Sequence, residues 1–367
     1  MAEPLKNLLH PGLVDDMAAT IRAADDGFDA ALFCAVAKRD LDRLELMERA
    51  QQIRDALFQT LPQPFIAAAK VLADSLPTPG KPGLSGWALL PVNQFIAERG
   101  LGDFDVALEL LKRLTPHFTA EFGIRPFVHA DQPRALATIT GWVTHQNHHV
   151  RRLASEGTRP RLPWAMRLPR LIKDPEPLLP ILEALLDDPE DYVRRSVANS
   201  LNDIAKDHPS LVADFVERHL ADASKDRRAL LRHASRTLLK KGHVKALANF
   251  GFGDASGLAC GALTLANRQI VFGSALDFST RVHNTTDAAK QAMIDYAVHH
   301  RKADGSLAAK VFKWKALTLS PGATLEISKR HWFRPITTRR YYSGMHRLVI
   351  LVNGEEVEAA DFDLILG

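Results

Sequence analysis

The chain has 367 residues, of which 46% are hydrophobic and 25% are charged, and its formal net charge is +4 at pH 7. At roughly 100–200 residues per domain, this length predicts about two globular domains, and the mildly basic charge fits a nucleic-acid partner without requiring one. No apolar run approaches the ~18 residues of a membrane-spanning helix, and the N-terminal segment lacks the apolar region of a signal peptide. Two widely separated cysteines, Cys34 and Cys260, argue against a disulfide framework or a zinc site, so we expect a reducing, cytoplasmic location.

Helices are predicted from about residue 13 to residue 250, where segments rich in Ala, Leu and charged residues alternate with Gly, Pro and Asp. Predicted helix starts combine a capping residue with proline, at Thr115–Pro116, Asp131–Pro133 and Asp174–Pro177. The last of these opens a predicted helix over 178–186. Predicted helix ends lie at Gly123, Gly157 and Gly242.

Two helical segments repeat each other. The motif V-R-R begins at Val150 and again at Val193, 43 residues later (193 − 150). Periods of about 40–47 residues are typical of HEAT and armadillo repeats, in which each unit buries its apolar face against its neighbours. A weaker third copy covers 229–241. We therefore predict an all-α, HEAT-like-repeat solenoid, with a non-repeating helical bundle as the alternative.

A helical wheel of the second copy separates a core side from a polar side. The predicted core side consists of Val193, Val197, Leu201 and Ile204. The predicted polar side consists of Arg195, Asn199, Asn202 and Lys206, with Asp203 on its flank. The first copy offers an equivalent polar face, with Arg152 over Arg195 and Glu156 over Asn199.

After residue 253 the pattern changes from helices to short strands. The predicted strands are 261–266, 275–283, 292–300, 309–319, 324–327, 347–352 and 356–366. Asn353-Gly354 lies between the last two strands and is a strong hairpin signal. About seven short strands in this length predict an all-β, immunoglobulin-like sandwich. The chain is therefore predicted to be multidomain, α then β, with a helical domain at 1–252 and a sandwich at 256–367.

Four residues could carry chemistry: Glu121, Glu156, Trp164 and Asp203. The repeat predicts that Glu156 and Asp203 share one concave surface with arginines beside both. Carboxylates beside a phosphate-binding surface are costly unless they meet a cation, such as a carbocation-like sugar. An aromatic plane such as that of Trp164 can also stabilise a cation.

Each of these residues also has a purely structural explanation. Glu121 could be solvated or paired with Arg125, and Glu156 could form an intrahelical pair with Arg152 one turn earlier. Asp203 could be an ordinary surface acid, and Trp164 could plug its loop against the solenoid. The pattern of residue types alone leaves both explanations open.

Basic residues are dense in the same region and could follow a DNA backbone. Clustered on one face, they would contact phosphates and make binding depend steeply on salt, whereas the alternative is a solvated outer face. The cations that we expect to contact DNA are Arg152, Arg159, Arg161, Arg194, Arg195, Lys206 and Arg232.

Motifs for several other chemistries do not occur in the sequence. His145, His148 and His149 form a cluster, but no carboxylate or cysteine stands at ligand spacing from them, so we predict no metal site. There is no Gly-rich phosphate loop, no G-x-S-x-G and no H-E-x-x-H. We therefore predict that no cofactor is needed.

Three segments resemble one known family. They are T-A-E-F-G-I-R-P-F at 119–127, H-V-R-R-L-A-S-E-G-T-R-P-R-L-P-W at 149–164 and D-Y-V-R-R-S-V-A-N-S-L-N-D-I-A-K-D-H-P at 191–209. Together they resemble the AlkC branch of the HEAT-like-repeat DNA alkylation-repair glycosylases. The β-rich tail resembles the immunoglobulin-like extension that some members carry.

The resemblance implies a monofunctional DNA glycosylase of base excision repair. Such an enzyme hydrolyses the N-glycosidic bond of cationic bases such as 3-methylcytosine and 3-methyladenine in duplex DNA, without flipping the lesion into a pocket. By the motif matches, Glu121, Glu156 and Asp203 would be the carboxylates nearest the sugar, and Trp164 would pack against the deoxyribose. An open surface for DNA favours a monomer.

A competing hypothesis is a non-catalytic HEAT-repeat scaffold that binds DNA or protein. A scaffold would keep its partner when Glu156 and Asp203 are replaced by alanine, whereas a glycosylase would lose turnover and still bind DNA.

Overall fold

The computed structural model describes residues 4–337 and 339–366. The chain divides into two compact units, Met1–Asp207 and His208–Gly367. Within the described residues, no helix is both long enough and apolar enough to cross a membrane.

The first unit is helical. Its α-helices are α1 Pro11–Arg22, α2 Ala30–Ala37, α3 Leu46–Thr60, α4 Phe65–Asp74, α5 Leu89–Arg99, α6 Phe104–Leu114, α7 Arg125–Ala130, α8 Gln132–Thr140, α9 His148–Glu156, α10 Pro169–Lys173, α11 Leu179–Ala184 and α12 Asp191–Ile204.

The second unit combines helices with strands. Its helices are α13 Pro209–Leu220, α14 Lys225–Ala234, α15 Arg236–Lys240 and α16 Val244–Asn249. Its strands are β1 Leu258–Cys260, β2 Thr264–Leu265, β3 Gln269–Val271, β4 Ala275–Asn284, β5 Lys290–Arg301, β6 Leu307–Leu319, β7 Thr324–Trp332, β8 Gly344–Val352 and β9 Glu355–Ile365.

Two of the predicted helix starts and two of the predicted ends are confirmed. Asp131 caps α8, since its carboxylate accepts the Arg134 backbone N–H at 3.2 Å. Asp174 likewise accepts the Glu176 N–H, and a short 3₁₀ turn then leads into α11. Gly157 directly follows α9, and Gly242 follows α15 with a φ of +69°.

The predictions at Thr115–Pro116 and Gly123 are wrong. The Thr115 N–H donates to Leu111 O, so Thr115 closes α6 instead of opening a new helix. Gly123 lies in the turn before α7 and does not end a helix. The helix predicted over 178–186 is shorter in the structure, where α11 covers Leu179–Ala184.

The two V-R-R copies form α9 and α12, and their side chains meet. Val150 and Val193 are both buried, and the hydroxyls of Ser155 and Ser196 lie 2.7 Å apart. The predicted core side of α12 is buried throughout. Its predicted polar side is wrong in the second half, because Asn202 and Asp203 are also buried there. The weaker third copy is divided between α14 and α15.

The strands form two sheets. One has the order β3-β9-β8-β5-β6, and the other has the order β1-β4-β2 with β7 also paired to β4. Residues of both sheets share one core, where the rings of Phe278 on β4 and Tyr296 on β5 lie 5.2 Å apart. Asn353 and Gly354 both have positive φ angles and connect β8 to β9, so the predicted hairpin is confirmed.

The division into units does not follow the composition change near residue 252. The backbone of Gly242 in the second unit's helical part approaches Gly354 so closely that a Cβ at Gly354 would lie 2.2 Å from Gly242 Cα. Asn353 Nδ2 donates to Gly253 O at 2.9 Å. The predicted boundary between residues 252 and 256 therefore lies inside the second unit, because the turn after α15 and the residues after α16 contact the strands that follow them.

Candidate active site

Three charged side chains from separate segments of the first unit meet at the end of α9. Glu156 lies at the last position of α9, Arg159 follows it, and Asp203 comes from α12. Arg159 bridges the two acids, with Nη1 at 2.6 Å from Glu156 Oε1 and Nε at 2.9 Å from Asp203 Oδ2. Glu156 is 5% exposed and Asp203 1% exposed, so this bridge neutralises charges that could not be buried alone.

Arg152 connects this bridge to Glu121. Its Nη1 lies 2.6 Å from Glu121 Oε2 and 3.0 Å from the Thr119 hydroxyl, and its Nη2 lies 3.5 Å from Glu156 Oε1. The guanidinium carbon lies 4.7 Å from the centre of the Tyr192 ring, which supports it from α12. The predicted carboxylates Glu121, Glu156 and Asp203 are thus brought into one ion-pair network.

The three carboxylates differ in which oxygens remain available. Both Asp203 oxygens are engaged, one by Arg159 and the other by Lys206 Nζ at 2.8 Å. Over the described part of the chain, no hydrogen bond reaches Glu156 Oε2 or Glu121 Oε1. Neither atom is among the fully buried unpaired ones. Glu156 and Glu121 therefore each keep one oxygen for a ligand or for water.

The charges in the network balance. Burial works against the charged form of Arg159, but Glu156 and Asp203 outweigh it and raise the pKa of this arginine. Arg152, Arg159 and Lys206 together match the three carboxylates. The site therefore has no net negative charge, and a cationic ligand would be stabilised by direct contact with the free oxygens of Glu156 and Glu121.

A fully buried arginine shapes the segment that follows α9. Arg125 Nη1 donates to Gly157 O at 2.9 Å and to Arg159 O at 2.8 Å, and its Nε donates to Met166 O at 2.7 Å. Burial, reinforced by the nearby Arg159 charge, lowers the pKa of Arg125 to about 10, so it remains charged at pH 7. Arg125 thus holds both ends of the segment 157–166 in place.

Trp164 stands at the outside of that segment. It is 88% exposed, and its φ of +62° lies in the left-handed region, which is unusual for a bulky residue. The structural explanation, in which the Trp164 side chain packs its loop against the solenoid, is therefore wrong. An exposed aromatic side chain held by a strained backbone is free to pack against a partner.

The predicted DNA-contacting cations lie in different environments. Arg159 lies inside the carboxylate network, and Arg194 donates from Nη1 to the carbonyls of Asp188 and Pro189. The sequence predicts exposed cations that contact DNA, whereas both of these arginines bind groups of the protein itself. Arg195 is exposed and pairs with Asp191 on its own helix.

The other predicted cations are also engaged. Arg161 makes two bonds to Asp207, at 2.8 and 2.9 Å. In the second unit, Arg232 lies over the rings of Phe250 and Phe252, at 5.5 and 5.6 Å from their centres. Contact of any of these cations with DNA stays a prediction.

Several site residues were not predicted. Arg125 was considered only as a partner for Glu121, whereas the structure pairs Glu121 with Arg152. No sequence pattern marked Thr119 or Tyr192 as a candidate site residue. The pair Arg151 and Asp188, joined by bonds of 2.6 and 2.9 Å, could have been suspected from the repeated V-R-R motif.

Among the residues that the structure describes, no three His, Cys, Asp or Glu side chains are grouped so that they could hold a metal ion. The rings of His148 and His149 lie 4.1 Å apart and face Tyr192 instead. That the protein needs no metal stays a prediction.

Two segments of the chain match models of known families. Residues 114–238 match the model of the DNA alkylation repair enzyme family. Residues 259–366 match the model of the C-terminal Ig-like domain of the uncharacterised protein YhaZ. The first match contains the whole ion-pair network.

Two individual proteins match nearly the full length. The uncharacterised protein YhaZ of Bacillus subtilis is 37% identical over 361 residues, which covers 98% of this chain and 99% of that protein. A solved structure of the Pseudomonas fluorescens alkylpurine DNA glycosylase AlkC, bound to DNA containing an abasic site analog, aligns with a TM-score of 0.88 and 36% identity. The alignment covers 99% of this chain and 100% of that one.

Proposed function

Because this chain belongs to the AlkC family of DNA alkylation repair enzymes, we propose that it is a DNA glycosylase that releases cationic alkylated bases from duplex DNA. The observation that carries the proposal is the ion-pair network of Glu121, Arg152, Glu156, Arg159 and Asp203, in which the last three residues are buried. Burying charges is costly for stability, so a cluster of charges beside the protein interior is a candidate functional site.

The substrates that we propose are 3-methylcytosine and 3-methyladenine. Their positive charge makes the base a good leaving group, so the bond to C1′ can break without a general acid, and both electrons of the bond go to the base. The sugar then carries oxocarbenium-like charge, as in other glycoside hydrolysis. Water adds to C1′ and gives up one proton.

Glu156 is the carboxylate that we place nearest to the reacting sugar. Its Oε2 is free, while Arg159 and Arg152 fix the other oxygen and thereby the orientation of the group. A preorganised carboxylate oxygen stabilises developing positive charge and accepts a proton from the attacking water. Glu121 Oε1 is free in the same way and supplies the second contact.

Asp203 acts through its neighbours in this proposal. Both of its oxygens are occupied by Arg159 and Lys206, so it positions Arg159 and through it Glu156. Trp164, which is 88% exposed, packs against the deoxyribose. Arg195, the exposed counterpart of Arg152 in the second repeat, is a cation that we expect to contact a phosphate. We propose that the lesion reacts without being flipped into a pocket.

The test is base release from duplexes that carry one 3-methylcytosine or one 3-methyladenine, with EDTA present. Cleavage of the resulting abasic site by alkali reports each turnover. Wild-type protein is expected to release both bases, and Glu156→Gln is expected to bind the same duplex without releasing either. No release from either duplex or from methylated genomic DNA would contradict the proposal and favour the scaffold.

A further inference from the structure

A small cavity lies beside the active site in the first unit. Its volume is about 180 Å³, and its walls come from α3, α5, the turn before α7 and the segment after α9. The lining side chains are mainly apolar, namely Met47, Leu90, Ala97, Phe122, Ala165 and Met166, with Trp164 at the same opening. Drug-sized pockets measure roughly 300–1,000 Å³, so this one suits a single small ring system.

Two buried oxygens on side chains that line this cavity lack partners. Asn93 Oδ1 and Gln94 Oε1 are buried oxygens of neighbouring residues on α5, and no hydrogen bond reaches either of them in the described residues. Asn93 Nδ2 donates to Leu89 O at 2.9 Å, which fixes the direction of its amide. A buried acceptor without a donor costs free energy, so the pair is suited to a ligand that supplies N–H groups.

The cavity is joined to the carboxylate network. Asn93 Nδ2 also lies 3.4 Å from Thr119 O, and the Thr119 hydroxyl donates to Glu121 Oε2. The turn that carries Glu121 packs against Asn93 at Gly123, where any Cβ would lie 2.7 Å from Asn93 Oδ1. A ligand in the cavity would therefore lie next to the part of the chain that holds Glu121.

We propose that this cavity binds the excised base after the glycosidic bond has broken. The proposal rests on the proposed function. Adenine-type and cytosine-type bases are flat and carry an exocyclic amino group, whose two N–H donors match the two amide oxygens. Phe122, Leu90 and the adaptable methionine side chains supply apolar contacts for the ring faces. The cavity then separates the leaving base from C1′ while water adds.

The experiment is a ligand-observed NMR titration of the full chain, without DNA, by adenine, 3-methyladenine and unsubstituted purine. Purine has the ring system but no amino group. We expect both amino-bearing bases to bind about tenfold more tightly than purine, as expected when a ligand satisfies a buried acceptor. Equal binding of adenine and purine would overturn the proposal. A titration in which deoxyadenosine binds and adenine does not would also overturn it.

Two variants test the site itself. Gln94→Met keeps the side-chain length but removes the acceptor, so the preference for adenine over purine should fall to about twofold or less. Ala97→Leu fills part of the cavity and should weaken adenine and purine binding together. Gln51→Met makes the same chemical change at an exposed position of α3 and should bind like the wild type.

The outcomes separate this inference from the proposed function. Gln94 lies outside the carboxylate network, so Gln94→Met should still release the damaged base in a single turnover. Base release by wild type together with unchanged adenine preference in Gln94→Met would overturn only the cavity proposal. Adenine binding that depends on Gln94, without any base release from damaged DNA, would contradict the proposed function and leave a base-binding cavity.

Discussion

Helices α9 and α12 occupy equivalent positions in two repeats, yet the candidate catalytic network is centred on only one of them, at the end of α9. Their structural residues correspond closely. Arg151 donates to carbonyls six and five residues before it, at His145 and Gln146. Arg194 makes the same two contacts with the same spacing before α12. The repeated arginine therefore holds the loop before each helix.

The polar residues at equivalent positions differ. Arg152 is enclosed by Glu121, Glu156 and Tyr192, whereas its counterpart Arg195 has a side chain that is 70% exposed. The counterpart of Glu156 is Asn199, which cannot carry a charge. The repeat thus reproduces the scaffold, while the candidate chemistry occurs once, where the end of α9 meets α12.

The largest expected effect comes from removing the arginine that joins the two helices. Arg159→Met leaves Glu156 and Asp203 buried without their shared partner, so we expect a loss of about 3–5 kcal/mol in the free energy of unfolding. Urea denaturation measures it. A triple variant that adds Glu156→Gln and Asp203→Asn should regain much of the loss. A single variant as stable as the wild type would show that the bridge has no structural role.

The next effect distinguishes Glu156 from its counterpart Asn199. Glu156→Gln should lower the single-turnover rate of base release by about 10²–10³, the range found when one electrostatic contact to a transition state is removed. Asn199→Ala should change this rate by no more than about twofold, since it removes no charge from the network. DNA binding is measured for both variants by fluorescence anisotropy. Similar rate losses in the two variants would mean that both repeats take part in catalysis.

Replacing the two equivalent arginines sharpens the comparison further. Arg152→Gln releases Glu121 and Glu156 from a fixed geometry, so we expect a rate loss of about tenfold and a stability loss of ~1–3 kcal/mol. Arg195→Gln should change stability by less than about 0.5 kcal/mol, because its pair with Asp191 is exposed. Its effect should appear as a lower salt dependence of DNA binding, by about one unit of slope. A salt dependence identical to wild type would remove Arg195 from the DNA contact.

The smallest effect concerns His149, whose counterpart is Tyr192. Burial, and then the charges of His148, Arg152 and His117, lower the pKa of His149 below its usual 6.5. Its contribution to stability is therefore complete above pH 6.5 and is lost as pH falls through the lower folded-state pKa.

His149→Phe should make stability less dependent on pH between about 7.5 and 5, by less than ~1 kcal/mol because the ring is partly exposed. Thermal unfolding at the two pH values provides the measurement. Tyr192→Phe removes no group that titrates in this range and serves as the control. An identical pH dependence in His149→Phe and wild type would assign the acid sensitivity to other groups.

Local sequence signals determined the secondary structure and the repeat. The 43-residue period identified α9 and α12, because the apolar residues of both helices follow the same 3.6-residue pattern. Asn353-Gly354 identified the last hairpin, because its backbone favours positive φ angles. The quoted segments also contained Glu121, Glu156 and Asp203, the three acids of the network.

Only the tertiary structure decided how these residues are used. A helical wheel treats Asp203 as a flank residue, but Arg159 from another segment covers and neutralises it. Sequence spacing also gave no indication that Arg125 holds the segment 157–166 or that Arg194 holds the loop before α12. The physical reason is that a buried charge depends on partners distant in sequence, whereas helix and turn signals depend on near neighbours.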